Sequence, residues 1–175
     1  MTRQEFVLER FGTPTGPMLL LSDEEDRVRA LDWDDHAPRF HQLLERHYGS
    51  DAVDLRASRK PSNIRKRIDA YFNGELDALE GIQTATGGTA FQQKVWAALR
   101  EISVGRTASY ADLAARIGQP SARRAVGLAN GANPIAIIVP CHRVIGADGS
   151  LTGYGGGLER KRWLLAHEGA LSDLL

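Results

Sequence analysis

The decapeptide IIVPCHRVIG (137–146) sets the only cysteine of the chain, Cys141, between Pro140 and His142, directly after an apolar run. A single cysteine makes no intramolecular disulfide and does not by itself hold a structural zinc. Residue type leaves two readings of this thiol, a small buried hydrophobe or a nucleophile. Nucleophilic work needs the thiolate, and an ordinary thiol with a pKa near ~8.5 is mostly protonated at neutral pH. A base and a positive environment would have to supply the activation. His142 offers an imidazole next to Cys141, able to act through a water, and Glu168 in LLAHE offers a carboxylate to orient it. If Pro140 opens a helical turn after a buried strand IAIIV (135–139), backbone N–H groups at that turn would favour the thiolate.

The elements that must hold these residues lie mostly in the second half. Thr89 with Gln92 predicts a capping box opening the helix AFQQKVWAALREI, with Phe91, Val95, Trp96 and Leu99 on one face. Ser109 with Asp112 opens a second helix, YADLAARIG, closed by Gly118. Ser121 opens a third, ARRAVGLANG, which makes 109–131 a helix-turn-helix candidate. Asp148-Gly149 signals a hairpin turn, the glycines of GYGGG permit close backbone approach, and LERKRWLLAHEG (158–169) is a final helix. Leu158, Trp163, Leu164 and Leu165 supply its apolar contacts, and Arg160, Lys161 and Arg162 add charge.

The first third reads as strands at 5–11, 17–22 and 27–33, the first two joined by the turn GTPTG, followed by helices at 37–49 and 58–75. The expected class is α+β, with a small antiparallel sheet and helices first and a mainly helical domain second. The domain boundaries are placed at 1–80 for the sheet-and-helix unit, 81–88 for a linker and 89–175 for the unit bearing the thiol.

Hydrophobic content of 42% and charge of 25% over 175 residues suit a globular protein with a full core. The N-terminus MTRQEFVLER lacks a signal-peptide core and no apolar run spans a bilayer, so a reducing cytoplasm and no membrane are expected. Formal net charge is zero, yet residues 1–93 carry 12 Lys and Arg against 16 Asp and Glu, while 94–175 carry 10 against 6. Chance surface composition gives such a split; so does a basic half that meets phosphates. His36, His41, His47, His142 and His167 form no HExxH pattern, and neither metal nor cofactor is expected.

NPIAIIVPCHRVIG (133–146), with ASYADLAARIG before it and GYGGGLERKRWLLAHEG after it, closely resembles the O6-alkylguanine-DNA alkyltransferases, or methylated-DNA–protein-cysteine methyltransferases. The resemblance is strong over 89–169. Before that it covers the broad strand-helix plan and AYFNGEL, and it suggests an RNase H-like N-terminal unit. It implies direct reversal of DNA damage: Cys141 takes the alkyl group from guanine O6 once, irreversibly, forming a thioether. His142 and Glu168 match the family's base and its orienter, and Asn133 the residue that hydrogen-bonds within the active-site turn. Tyr110 matches a hydroxyl donor to guanine N3. The carbonyls of Cys141 and Val144 match acceptors for the exocyclic amine, and the Gly155 amide a donor to O6. Many relatives carry Ser where Gly155 stands. Tyr154 in the same loop joins the substrate contacts. Some relatives hold zinc through N-terminal cysteines that are lacking here.

O6 inside a duplex is beyond the reach of a protein thiol, so the nucleotide must be flipped out. Arg124 matches the residue that fills the vacated stack, while Ala122, Ala125, Gly127 and Ala129 would let the backbone of the third helix lie close against DNA. Arg123 is a phosphate contact or a solvated charge. The implied partner is double-stranded DNA carrying O6-alkylguanine, bound through the minor groove by a monomer, with clustering along DNA left open. Two other classes remain: a non-enzymatic helix-turn-helix or damage-sensing protein, and a Cys-His hydrolase. The sensors lack the reactive Cys, and a hydrolase would need an oxyanion hole and leaves the helix-turn-helix without a task.

Overall fold

A computed structural model describes residues 3–49 and 53–171 of the chain. It divides into two compact units, residues 1–87 and 88–175. Among the described residues no helix is long and apolar enough to cross a membrane.

In the first unit, β1 (Gln4–Phe11), β2 (Met18–Ser22) and β3 (Val28–Trp33) form an antiparallel meander. Thr13 closes the first turn by donating to the Gly16 carbonyl at 2.7 Å. Helix α1 (Ala37–Tyr48) then leads to β4 (Val53–Ala57), which pairs parallel with β1 and gives the order β3-β2-β1-β4. The sheet is therefore mixed rather than purely antiparallel. Because neighbouring side chains alternate across a strand, Phe6, Leu19, Leu21 and Ala30 share one face, where Phe40 and Leu44 of α1 pack with them. Glu9 points to the opposite face and is buried. It accepts from the backbone N–H of Ser62 at 2.8 Å and from its hydroxyl at 2.6 Å. The Ser62 hydroxyl in turn caps α2 (Asn63–Phe72), so this helix starts five residues later than the pattern at 58–75 predicts. Val28 exchanges backbone hydrogen bonds with Gln83 and Ala85, which holds part of the stretch read as a linker to the edge of β3.

The second unit opens with α3 (Ala90–Arg100), whose Thr89–Gln92 capping box is formed as the sequence predicts. The strand β5 (Ala108–Ser109) leads through the Ser109–Asp112 capping box into α4 (Tyr110–Arg116). Gly118, at φ +76°, turns the chain toward α5 (Arg123–Gly131). Ser121 does not cap α5: the N-cap position is Ala122, with no side-chain hydrogen bond there. Residues 135–139 are buried but form a turn, not a strand. Pro134 and Pro140 bracket them without N–H groups, which removes ladder donors at both ends. A single 3-10 turn (Cys141–Arg143) follows, then β6 (Val144–Ile145), parallel to β5, and finally α6 (Leu158–His167). Asp148-Gly149 does form a turn, accepted by Asp148 from Ser150, but no strand follows it to complete a hairpin.

Candidate active site

The turn before Cys141 is built on one side chain. Asn133 donates to the Val139 carbonyl at 2.8 Å and the Ile135 carbonyl at 3.2 Å, and accepts from the Ile135 N–H at 2.9 Å. Asn133 is buried, and its bonds do inside the turn what a strand ladder would do across it. They also hold Ile137 at φ +69°, a conformation that strains a β-branched residue by ~1–3 kcal/mol. Cys141 thus leaves a fixed support. Its N–H is taken by the Val139 carbonyl at 2.8 Å and the Arg143 N–H by the Pro140 carbonyl at 3.0 Å, so neither of these two amides is free to face the sulfur. Three residues of 3-10 turn also provide almost no macrodipole. The positive environment must come from side chains.

Two buried cations, Arg143 and Lys161, stand around the turn. Arg143, the last residue of the turn, donates from Nε to Glu168 Oε1 at 2.8 Å, from Nη2 to Oε2 at 3.1 Å and from Nη1 to the Ile102 carbonyl at 2.7 Å. Lys161 is 0% exposed, and its ammonium donates to the carbonyls of Val144 at 2.5 Å and Thr152 at 2.7 Å. Burial lowers its pKa from 10.5 to about 8, against an attraction to Cys141 that raises it. That attraction is mutual, so the Lys161 ammonium favours the ionised sulfur. The sequence reads Lys161 only as one of three charges on α6; it points inward, and Leu158, expected to pack, is 47% exposed. A charged residue in a helix reads as solvated unless something shows the carbonyls that collect around it, and here those come from β6 and from the segment between β6 and α6. Arg143 had a signal, its place inside the Pro-Cys-His-Arg run.

His142 and Glu168 are brought together as expected, with His142 Nε2 and Glu168 Oε2 2.9 Å apart and both side chains fully buried. Burial opposes ionisation of Glu168, but His142 and the two-pronged Arg143 guanidinium outweigh it, holding the carboxyl well below the usual carboxylate range. Burial lowers the pKa of His142, with Arg143 and Lys161 adding to that and Glu168 opposing. The pair is therefore a carboxylate facing a neutral imidazole. Since the carboxylate only accepts, the imidazole proton sits on Nε2 and Nδ1 carries the lone pair. Among the described residues no protein group bonds to Nδ1. The ring is left as a base at that nitrogen.

The β5–β6 pairing sets where Tyr110 stands. Ala108 lies opposite Val144 and Ser109 opposite Ile145, so the first residue of α4 stands beside the strand that leaves the Cys-His-Arg turn. The Tyr110 hydroxyl is 3.3 Å from the Thr152 hydroxyl, and a Cβ at Gly127 would lie 3.8 Å from the ring. Gly127 is thus half-buried behind Tyr110, while Arg123, Arg124 and Ala125 are exposed on α5. Trp96 of α3 pins that helix by donating from Nε1 to the Ala129 carbonyl at 2.9 Å. Val144 is buried, its N–H donating to the Cys141 carbonyl; Tyr154 is half-buried and Gly155 exposed in the loop beyond.

Both units match known families. Residues 90–170 match the DNA-binding domain of 6-O-methylguanine DNA methyltransferase, and residues 9–86 match its ribonuclease-like domain. The methylated-DNA–protein-cysteine methyltransferase of Salmonella typhimurium is 49% identical over 163 residues, 93% of this chain and 95% of that protein. The Mycobacterium tuberculosis enzyme of the same name is 47% identical, covering 89% and 88%. The crystal structure of Mycobacterium tuberculosis OGT in complex with DNA superposes with a TM-score of 0.76 at 44% identity, covering 94% and 93%. The O6-methylguanine-DNA methyltransferase of Pyrococcus kodakaraensis gives 0.70 at 30% identity, covering 94% and 99%. With both domains matched and full-length relatives near half identity, the chain belongs to the methylated-DNA–protein-cysteine methyltransferase family.

Proposed function

We propose that this chain repairs alkylated DNA by direct reversal, with Cys141 accepting the alkyl group of O6-alkylguanine in a single, irreversible transfer. The observation that carries the reading is the buried array behind the thiol, in which Arg143 and His142 both engage Glu168. His142 Nδ1 takes the thiol proton through a water, and the imidazolium that forms faces the ionised Glu168. The Lys161 ammonium helps to hold the thiolate. Sγ then attacks the alkyl carbon in line: the S–C bond forms, the C–O6 bond breaks, and the electron pair passes into the guanine ring. The Tyr110 hydroxyl, donating to N3, offsets that charge. The proton lost by the thiol balances the one restored guanine carries at N1. A thioether has no leaving group that His142 could release, so each molecule acts once.

The carbonyls of Cys141 and Val144 accept the exocyclic amine of guanine, and the Gly155 amide, with Tyr154 in the same loop, faces O6. Lys161 already occupies one lone pair of the Val144 carbonyl, which fixes its direction and leaves the second for substrate. The exposed Arg124 fills the space of the flipped nucleotide, with Arg123 on a phosphate and Ala125 against the minor groove. Such degenerate contacts suit damage that arises in any sequence. The protein acts as a monomer in the cytoplasm, where its one thiol stays reduced.

A duplex bearing tritiated O6-methylguanine tests this. Label should move to the protein until one methyl is bound per molecule and then stop. Label released to water would make the chain a hydrolase, and binding without transfer a sensor.

A further inference from the structure

Leu128 is the residue of α5 that the transfer chemistry leaves without a task. It is 73% exposed, on a helix whose other face buries Val126, Ala129 and Asn130. An exposed leucine alone is ordinary; its placement is what matters. Arg124 precedes it by four residues, on the same face and also exposed. The helix has no freedom to turn Leu128 inward, because Trp96 holds the Ala129 carbonyl and Gly127 backs onto the Tyr110 ring. Leu128 also interrupts the small residues, Ala122, Ala125 and Gly127, that would otherwise let the backbone of α5 lie flat against a duplex.

We propose that Leu128 is a second stack-disturbing side chain: an apolar wedge that enters the minor groove of the damaged duplex one helical turn beyond Arg124. This rests on the reading of α5 as the DNA-facing helix. Four helical residues rise about 6 Å along the axis, close to two base-pair steps of ~3.4 Å each. Arg124 and Leu128 would therefore address steps about two base pairs apart. The guanidinium occupies the space of the flipped nucleotide, whereas an isobutyl group offers neither charge nor hydrogen bond. What it can do is pack on deoxyribose C–H groups and lever open a base step, as Leu, Ile and Met do in proteins that bend DNA from this groove. Opening a step two base pairs from the target kinks the duplex and eases the unstacking that flipping requires, so the contribution falls on duplex DNA alone.

The full chain carrying Leu128→Ala, Leu128→Asn or Arg124→Ala tests this by two readouts. One is affinity for a fluorescent O6-methylguanine duplex, measured by anisotropy at ~50 and ~200 mM salt in a Cys141→Ser background. The other is the ratio of transfer rates on that duplex and on free O6-benzylguanine. Both Leu128 variants should weaken duplex binding by about tenfold and lower the rate ratio to a similar extent. The weakening should be the same at both salt concentrations, because an apolar contact releases no counterions. Parental duplex affinity in Leu128→Ala overturns the proposal, as does a loss shared equally by the free base. If Arg124→Ala also binds like the parent, the placement of α5 on DNA falls with it. If Arg124→Ala alone loses binding, that placement stands and only the wedge is refuted.

Discussion

Glu168→Gln separates two tasks carried by one carboxylate. In the folded chain Oε1 accepts from Arg143 Nε at 2.8 Å, while Oε2 accepts from Arg143 Nη2 at 3.1 Å and lies 2.9 Å from His142 Nε2. Glutamine keeps the shape, deletes the charge and turns one acceptor into an NH2 donor. That donor must face either Arg143 or His142. In both cases the buried guanidinium loses its counter-ion, which costs about 3–5 kcal/mol, a large share of the ~5–15 kcal/mol available to a domain. For a chain of this length the melting temperature should fall by roughly 6–20 °C. If the NH2 faces His142, the ring must hold its proton on Nδ1, and nothing remains to take the proton of Cys141. A positioned general base contributes ~10²–10⁴, so the single-turnover rate constant should drop at least about 100-fold. Adding Arg143→Met to Glu168→Gln removes both buried charges, and it should recover stability but not rate. The pH dependence has a definite sign. The folded carboxyl titrates below its ordinary value of 4.5, so its stabilising contribution is complete above that value and is lost as the pH falls below it. Glu168→Gln should flatten this acid limb of a series of thermal melts. A variant that melts within about 2 °C of the parent and transfers methyl at the parental rate would refute both tasks.

Asn133→Ala deletes three hydrogen bonds from the turn that supports Cys141 and should cost roughly 2–5 kcal/mol in denaturant unfolding; an unchanged midpoint would show that the turn holds without it. Lys161→Met should slow transfer most below pH 8 and converge on the parent above it, because the native ammonium titrates at about 8; a deficit constant across pH would remove the charge from the mechanism. Alkylation of Cys141 adds bulk in a buried site and removes the charge that Lys161 attracts. The methylated protein should therefore be less stable than the free one by about 1–3 kcal/mol and melt below it, and the benzylated one lower still; equal melting temperatures would mean that the site has room to spare.

The two capping boxes were readable because each is a local pattern, Thr89 with Gln92 and Ser109 with Asp112, that needs no distant partner. Residue types and the resemblance single out Cys141, His142 and Glu168, and the fold brings the last two within 2.9 Å of each other. Strand β4 escaped notice despite its alternating Val-Asp-Leu-Arg-Ala, since it is short, largely exposed and pairs with a strand far upstream. The run 135–139 looked like a buried strand because its residues are apolar. Only the Asn133 side chain and the flanking prolines make it a turn. Lys161 was hidden for the opposite reason: its sequence neighbours Arg160 and Arg162 suggest a wet face, and its carbonyl partners Val144 and Thr152 meet it only in the fold.

The central claim is that Cys141, supported by Glu168 through His142, is itself the acceptor of the alkyl group. Peptide mapping by mass spectrometry after reaction with an excess of O6-methylguanine duplex tests it most directly. The account predicts one methyl per molecule, confined to the peptide bearing Cys141, and none in Cys141→Ser. Methyl found on another residue, retained in the Cys141→Ser protein, or turned over in many equivalents per molecule would contradict it.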